Sequence, residues 1–257
     1  MTALVANLRA LGAAVAFLTR LPVGRLVNFD GDDVARAGLY FPVVGAGLGA
    51  LAGAIAQSLE HRLSAPLAAA IAVGVLTAVT GAFHLDAVAD TADALGGRDR
   101  EHSLAIMRDH AIGAYGGVAL IVDLVLRTTA LAALASRHHA VVAALVAGAL
   151  SRASAPVIGS LLPYARAGGG KGASLTRSSL ARAGGAVLLA AGAAVGFGGA
   201  TGAVMLAVVA VATGALALVW RRWLGGATGD TLGAGIEVTE VLALIAAVAL
   251  ISPRVAL

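Results

Sequence analysis

Eight apolar segments, residues 4–18, 38–59, 65–85, 112–135, 140–162, 183–196, 203–220 and 229–251, take up most of the chain and restrict its fold before anything else is read. The longer ones run to about 20 residues, the length an α-helix needs to cross the hydrocarbon core of a bilayer. With 59% hydrophobic and 12% charged residues and a mean hydropathy of +0.91, the sequence lies far outside the range of soluble domains. The expectation is an all-α, polytopic integral membrane bundle of about seven or eight membrane helices. Too little chain is left over for a large soluble domain, so residues 1–257 read as a single transmembrane catalytic domain. The segment 4–18 carries Arg9 and is followed by no small-residue cleavage site. It reads as an interfacial or tilted helix, not a signal peptide. There is no cysteine, which excludes disulfides and thiolate metal sites.

The basic residues are unevenly placed. Twelve of the 18 Lys and Arg residues sit in the loops after the first, third, fifth and seventh segments, while Arg62, Arg137 and Arg254 are the three on the opposite side. By the positive-inside rule the four basic loops are cytoplasmic. This pattern, with a net charge of only +4, accounts for the basic isoelectric point without a nucleic-acid partner. The glycine series Gly45, Gly47, Gly49 and Gly53 suits close helix packing. Asp123 and Arg127, an i, i+4 pair of opposite sign, read as mutually neutralising. Arg152 stands alone in its segment and calls for either a carboxylate or a phosphate.

Acids border these segments in two places. In the stretch 84–93, HLDAVADTAD, Asp86, Asp90 and Asp93 are spaced i, i+4 and i+7, so on a helix all three fall within about 60° of arc. Carboxylates on one stripe stay ionised together only with a counter-charge, and a divalent cation is the natural one. In the stretch 229–240, GDTLGAGIEVTE, Asp230 and Glu237 share a face and Glu240 lies one turn further on. A first-turn position explains Asp230 through the helix dipole, but not the two deeper glutamates. Several carboxylates with no cysteine and few histidines favour a hard, oxygen-liganded ion such as Mg²⁺. Arginines nearby favour a phosphate-bearing substrate. The run Gly168-Gly-Gly-Lys171-Gly172 is not a Walker A loop, because Gly172 stands where Ser or Thr is required.

Eight stretches then carry a resemblance: FLTRLPV from Phe17, YFPVVG from Tyr40, HLDAVADTAD from His84, IMRD from Ile106, IGAYG from Ile112, LSR from Leu150, PYAR from Pro163 and TGDTLGA from Thr228. In this order they resemble the cobalamin synthase family, adenosylcobinamide-GDP ribazoletransferases. The resemblance implies a Mg²⁺-dependent enzyme of the bacterial inner membrane that joins adenosylcobinamide-GDP to α-ribazole or its 5′-phosphate with release of GMP, and the basic loops put the expected site on the cytoplasmic face. It also implies Asp86, Asp90 and Asp93 as metal ligands. A general base is sought among Asp109, Asp230 and Glu237, with His84 a weaker candidate, and Arg98, Arg108, Arg152 and Arg166 are candidate holders of phosphate oxygens. Ala87 and Ala94 depart from the family's usual glycines, and His110-Ala111 from its small residue and arginine. Two other readings share the residue chemistry. A CDP-alcohol phosphotransferase would need the signature D-x-x-D-G-x-x-A-R, which is absent. An ion-coupled transporter would use Asp123, Arg127, Arg152 and Glu237 as a relay, but no inverted repeat is visible. A homo-oligomer is left open.

Overall fold

The structure, a computed structural model, describes residues 3–109, 111–167, 171–177 and 179–251. The glycines at 168–170, His110 and Arg254 lie outside the described residues. Helix α1 (Ala3–Leu18) leads into a connector that folds into two short helices, α2 (Val23–Leu26) and α3 (Gly31–Ala37). Helices α4 (Phe41–Leu59) and α5 (Ala65–Thr80) precede the acid-bearing α6 (Phe83–Asp93), and α7 (Arg100–Ile106) lies in the next loop. The long helices α8 (Ala114–Ala135), α9 (Ala140–Leu161), α10 (Leu180–Leu224) and α11 (Gly229–Ile251) follow.

Among the described residues, five helices are long and apolar enough to cross a membrane, or six if the bent pair α5–α6 is one span. That count takes α10 as one helix and does not by itself reach the seven or eight expected, for two reasons. Helix α1 has only 16 residues. The expected spans 183–196 and 203–220 belong to one helical stretch of 45 residues, α10, broken at Gly199 (φ 55°, ψ −134°). Its two halves nonetheless run back to back: Gly202 lies directly on the Ala194 backbone, and Val187 and Thr213 border one cleft.

Helix α9 is the central element, with 78% of its apolar window buried against 28% for α10. Gly45, Gly49 and Gly53 of α4 rest on the backbone of Gly148, Ala144 and Ala140 of α9, leaving no room for a Cβ. The steps of four place small residues on facing ridges, and the packing role expected for this series is what these three perform. Gly47 faces open space.

The polar connector is more ordered than its composition suggests. Asp30 and Asp33 form a reciprocal capping box on α3, and Arg9 reaches across from α1 to Asp33 (Nη2 to Oδ2, 2.6 Å). This pairing accounts for a charge inside the first apolar segment. A larger departure concerns the third segment, read from the sequence as one apolar run over 65–85 that the aspartate stripe borders. Instead the chain turns by 91° between α5 and α6. Gly81 (φ 69°) and Ala82 (φ 57°) are both left-handed there, and the N–H of Ala82 closes back on the carbonyl of Thr77. Glycine takes this conformation without steric cost. The Arg20 side chain packs over Gly81, while the Arg20 N–H donates to Val79 O at 2.8 Å.

Candidate functional site

Asp86 and Asp90 project from α6 into a cavity of about 330 Å³ at the end of the bundle where the basic loops converge. Asp230, Arg108, Arg166 and Tyr164 border the same cavity. Asp90 is half-buried and senses the negative charges of Asp86, Asp230 and Asp93 against the positive charge of Arg166. The other wall is aromatic. Phe17 stacks on Phe41 with ring centres 5.4 Å apart and meets Phe83 edge-on at 6.0 Å.

Local chemistry explains how these groups are presented. Thr228 caps α11: its N–H donates to Thr231 Oγ1 at 2.8 Å, and the Thr231 N–H donates back to Thr228 Oγ1 at 3.1 Å. The cap sets Asp230 in the first turn, where the helix dipole favours its charge. Arg166 Nη2 lies 2.5 Å from Asp230 Oδ2. The loop bearing Arg166 pairs with the turn before α11 through Ala165 N–H to Ala227 O (2.8 Å) and Ala227 N–H to Pro163 O (2.9 Å). Arg100 donates to both connections, to Leu224 O at 2.6 Å and Ala165 O at 2.9 Å. The sequence alone gives no sign of this role for Arg100. Its partners are backbone carbonyls 65 and 124 positions away, which no side-chain pattern marks. The aromatic wall was also missed, although Phe17 and Phe41 lie in two of the stretches that carry the resemblance.

The third aspartate behaves differently. Asp93 does not border the cavity. Its Oδ2 accepts from Gly113 N–H (2.7 Å) and its Oδ1 from Gly116 N–H (2.8 Å), so it caps the first turn of α8. Any side chain at Gly113 or Gly116 would collide with its carboxylate.

Four other candidates also lie off the cavity. Asp109 is exposed and accepts from Ala111 N–H at 3.1 Å, and Arg98 is exposed on the following loop. Glu237 and Arg152 sit deeper in the bundle, 3% and 1% exposed. Glu237 pairs with Arg127, and Glu240 with Arg152. Asp123 is 3.6 Å from Arg127, so the expected i, i+4 pair exists, but as the weaker half of a larger buried ionic layer. His84 completes that layer with Nδ1 3.7 Å from Glu237 Oε1, and it also borders the cavity. Of the two kinds of partner expected for Arg152, the structure supplies a carboxylate.

Helices α6 and α11 meet tightly where they frame the site. A Cβ on Gly233 would fall 2.6 Å from that of Ala87, so the methyl carried by position 87 is accommodated by the absence of one at 233. Gly233→Ala is expected to destabilise the bundle by about 1–3 kcal/mol through overpacking, and Ala87→Gly in the same chain should restore it. Thermal unfolding of the two variants in detergent checks this, and an unrescued double variant would dismiss the contact.

A family model described as cobalamin-5-phosphate synthase matches residues 10–248 of the chain. An adenosylcobinamide-GDP ribazoletransferase of Ralstonia nicotianae is 38% identical over 248 residues, covering 95% of this chain and 96% of the relative. One of Escherichia coli K12 is 38% identical over 242 residues, covering 91% and 97%. No solved structure matches.

Proposed function

The chain belongs to the cobalamin-5-phosphate synthase family, and from that premise we propose that it joins adenosylcobinamide-GDP to α-ribazole, or its 5′-phosphate, and releases GMP. The observation that carries the reading is the single cavity in which Asp86, Asp90 and Asp230 face Arg108 and Arg166, beside an aromatic wall. Carboxylates and arginines in one recess suit a diphosphate with a divalent ion. The aromatic wall suits a heteroaromatic base. At about 330 Å³ the cavity holds only the reacting end of so large a substrate, and the corrinoid body lies outside it.

The donor set fits Mg²⁺. Asp86 and Asp90 lie one helical turn apart at the rim of the cavity, all their donors are oxygen, and Mg²⁺ is commonly held by one or two carboxylates together with substrate phosphates. When bound, the ion would neutralise the diphosphate and the charge that develops as GMP departs. Arg108 and Arg166 hold phosphate oxygens, and Asp93 holds α8 in place for the site. The 3′-hydroxyl of the ribazole ribose attacks the phosphorus attached to the cobinamide side chain. A P–O bond forms there as the bond to the GMP oxygen breaks, and the hydroxyl proton passes to a carboxylate. Asp230 is the acid we favour for that transfer, because it borders the cavity while Asp109 and Glu237 do not.

The test is GMP release by the purified protein in detergent, with both substrates and Mg²⁺. One GMP per corrinoid product is expected, and no release in the presence of both would overturn the assignment. The cavity end is proposed to face the cytoplasm of the bacterial inner membrane, as the basic loops favour. Single cysteines introduced at Arg98 and Tyr164 should then react with an impermeant thiol reagent from the cytoplasmic side, and those at Arg62 and Arg137 from the other. The reverse pattern would sink this orientation.

A further inference from the structure

We propose a second metal site, for a borderline transition ion such as Zn²⁺, formed by Glu60, His61 and His138 at the end of the bundle opposite the acidic cavity. Each offers one ligand atom, and the three atoms lie within 4.8 Å of one another. Glu60 Oε1 and His61 Nδ1 are already 3.6 Å apart. Tetrahedral zinc with bonds of 2.0–2.1 Å holds neighbouring donors about 3.4 Å apart, so this pair needs to move by only a few tenths of an ångström. Two imidazoles and a carboxylate without thiolate form a donor set for Zn²⁺ and its neighbours, with a fourth position left to water. The same set is a poor match for Mg²⁺, so the two ends of the molecule differ in metal preference.

Two structural features aim the ligands at one another. The turn after α4 supplies Glu60 and His61, and the turn before α9 supplies His138; the glycine contacts of α4 on α9 bring those turns together. His138 is also one of two non-glycine residues with a left-handed backbone (φ 59°) among the described residues, an unfavourable state that places its ring 5.6 Å from that of His61. Two imidazoles tilted by 31° at this distance gain little from each other, and if both were protonated they would repel. A shared cation turns the arrangement into an attractive one. Arg62 and Arg137 flank the turns, so moderate affinity is expected, with Glu60 supplying the counter-charge.

The test is a titration of the EDTA-treated full chain in detergent with Zn²⁺, against a chromophoric chelator and with excess Mg²⁺ to occupy the carboxylates of the cavity. One equivalent should bind in the micromolar range. His61→Ala and His138→Asn should each weaken it at least about tenfold. Asparagine tolerates the left-handed backbone at 138, so a loss there reports the missing ligand rather than a disturbed turn. No uptake of Zn²⁺, or uptake undiminished in either variant, would overturn the site.

Discussion

Asp86→Asn and Asp90→Asn are each expected to lower turnover by roughly 10²–10³-fold, the loss that follows removal of one preorganised electrostatic partner, while the protein remains folded and inserted. Both side chains border the cavity, and among the described residues neither accepts a hydrogen bond from a backbone N–H. Asp93→Asn should behave differently. An amide can accept at Oδ1 only, so one of the two bonds to α8 is lost, and the cost of about 1–3 kcal/mol appears in stability. Steady-state rates and melting curves on the three variants separate the roles. Near-normal turnover in the first two would remove them from the reaction.

The second large effect concerns the buried ionic layer. Arg152→Met leaves Glu240 with Ser151 at 3.5 Å and the more distant Arg127 at 3.8 Å. Breaking a buried pair from one side typically costs about 3–5 kcal/mol, because the remaining charge is stranded. Replacing both residues, as Arg152→Met with Glu240→Met, should recover most of that loss, since apolar side chains of similar volume carry no desolvation cost. Chemical denaturation of the single and double variants measures the coupling. A single variant as stable as the parent would show that the pair holds nothing together.

The parts legible in the sequence were those governed by local pattern. Segment hydropathy marked α4, α8, α9 and α11, and the spacing of Asp86 and Asp90 placed them together. The same spacing could not distinguish Asp93, because its different role depends on where α8 begins, 20 positions away. The turn at Gly81-Ala82 was hidden for another reason. A glycine inside an apolar run reads as a packing residue, and Ala82 carries no turn signal at all. The i, i+4 match of Asp123 with Arg127 was correct and yet misleading, since the closer partner of Arg127 comes from α11. Partner choice among buried charges depends on helix packing, which periodicity does not report.

The ionic layer also has a bearing on how the chain is made. Arg127 and Arg152 are synthesised with α8 and α9, whereas Glu237 and Glu240 arrive only with α11, the last of the described helices. Between these events the ribosome adds the whole of α10. An arginine near the middle of a spanning segment is costly in lipid, so α9 is a poor candidate for early release from the insertion machinery. Its commitment to the bilayer then awaits the C-terminal helix, and nascent chains stopped before residue 229 should remain bound to the translocation channel where full-length chains have left it.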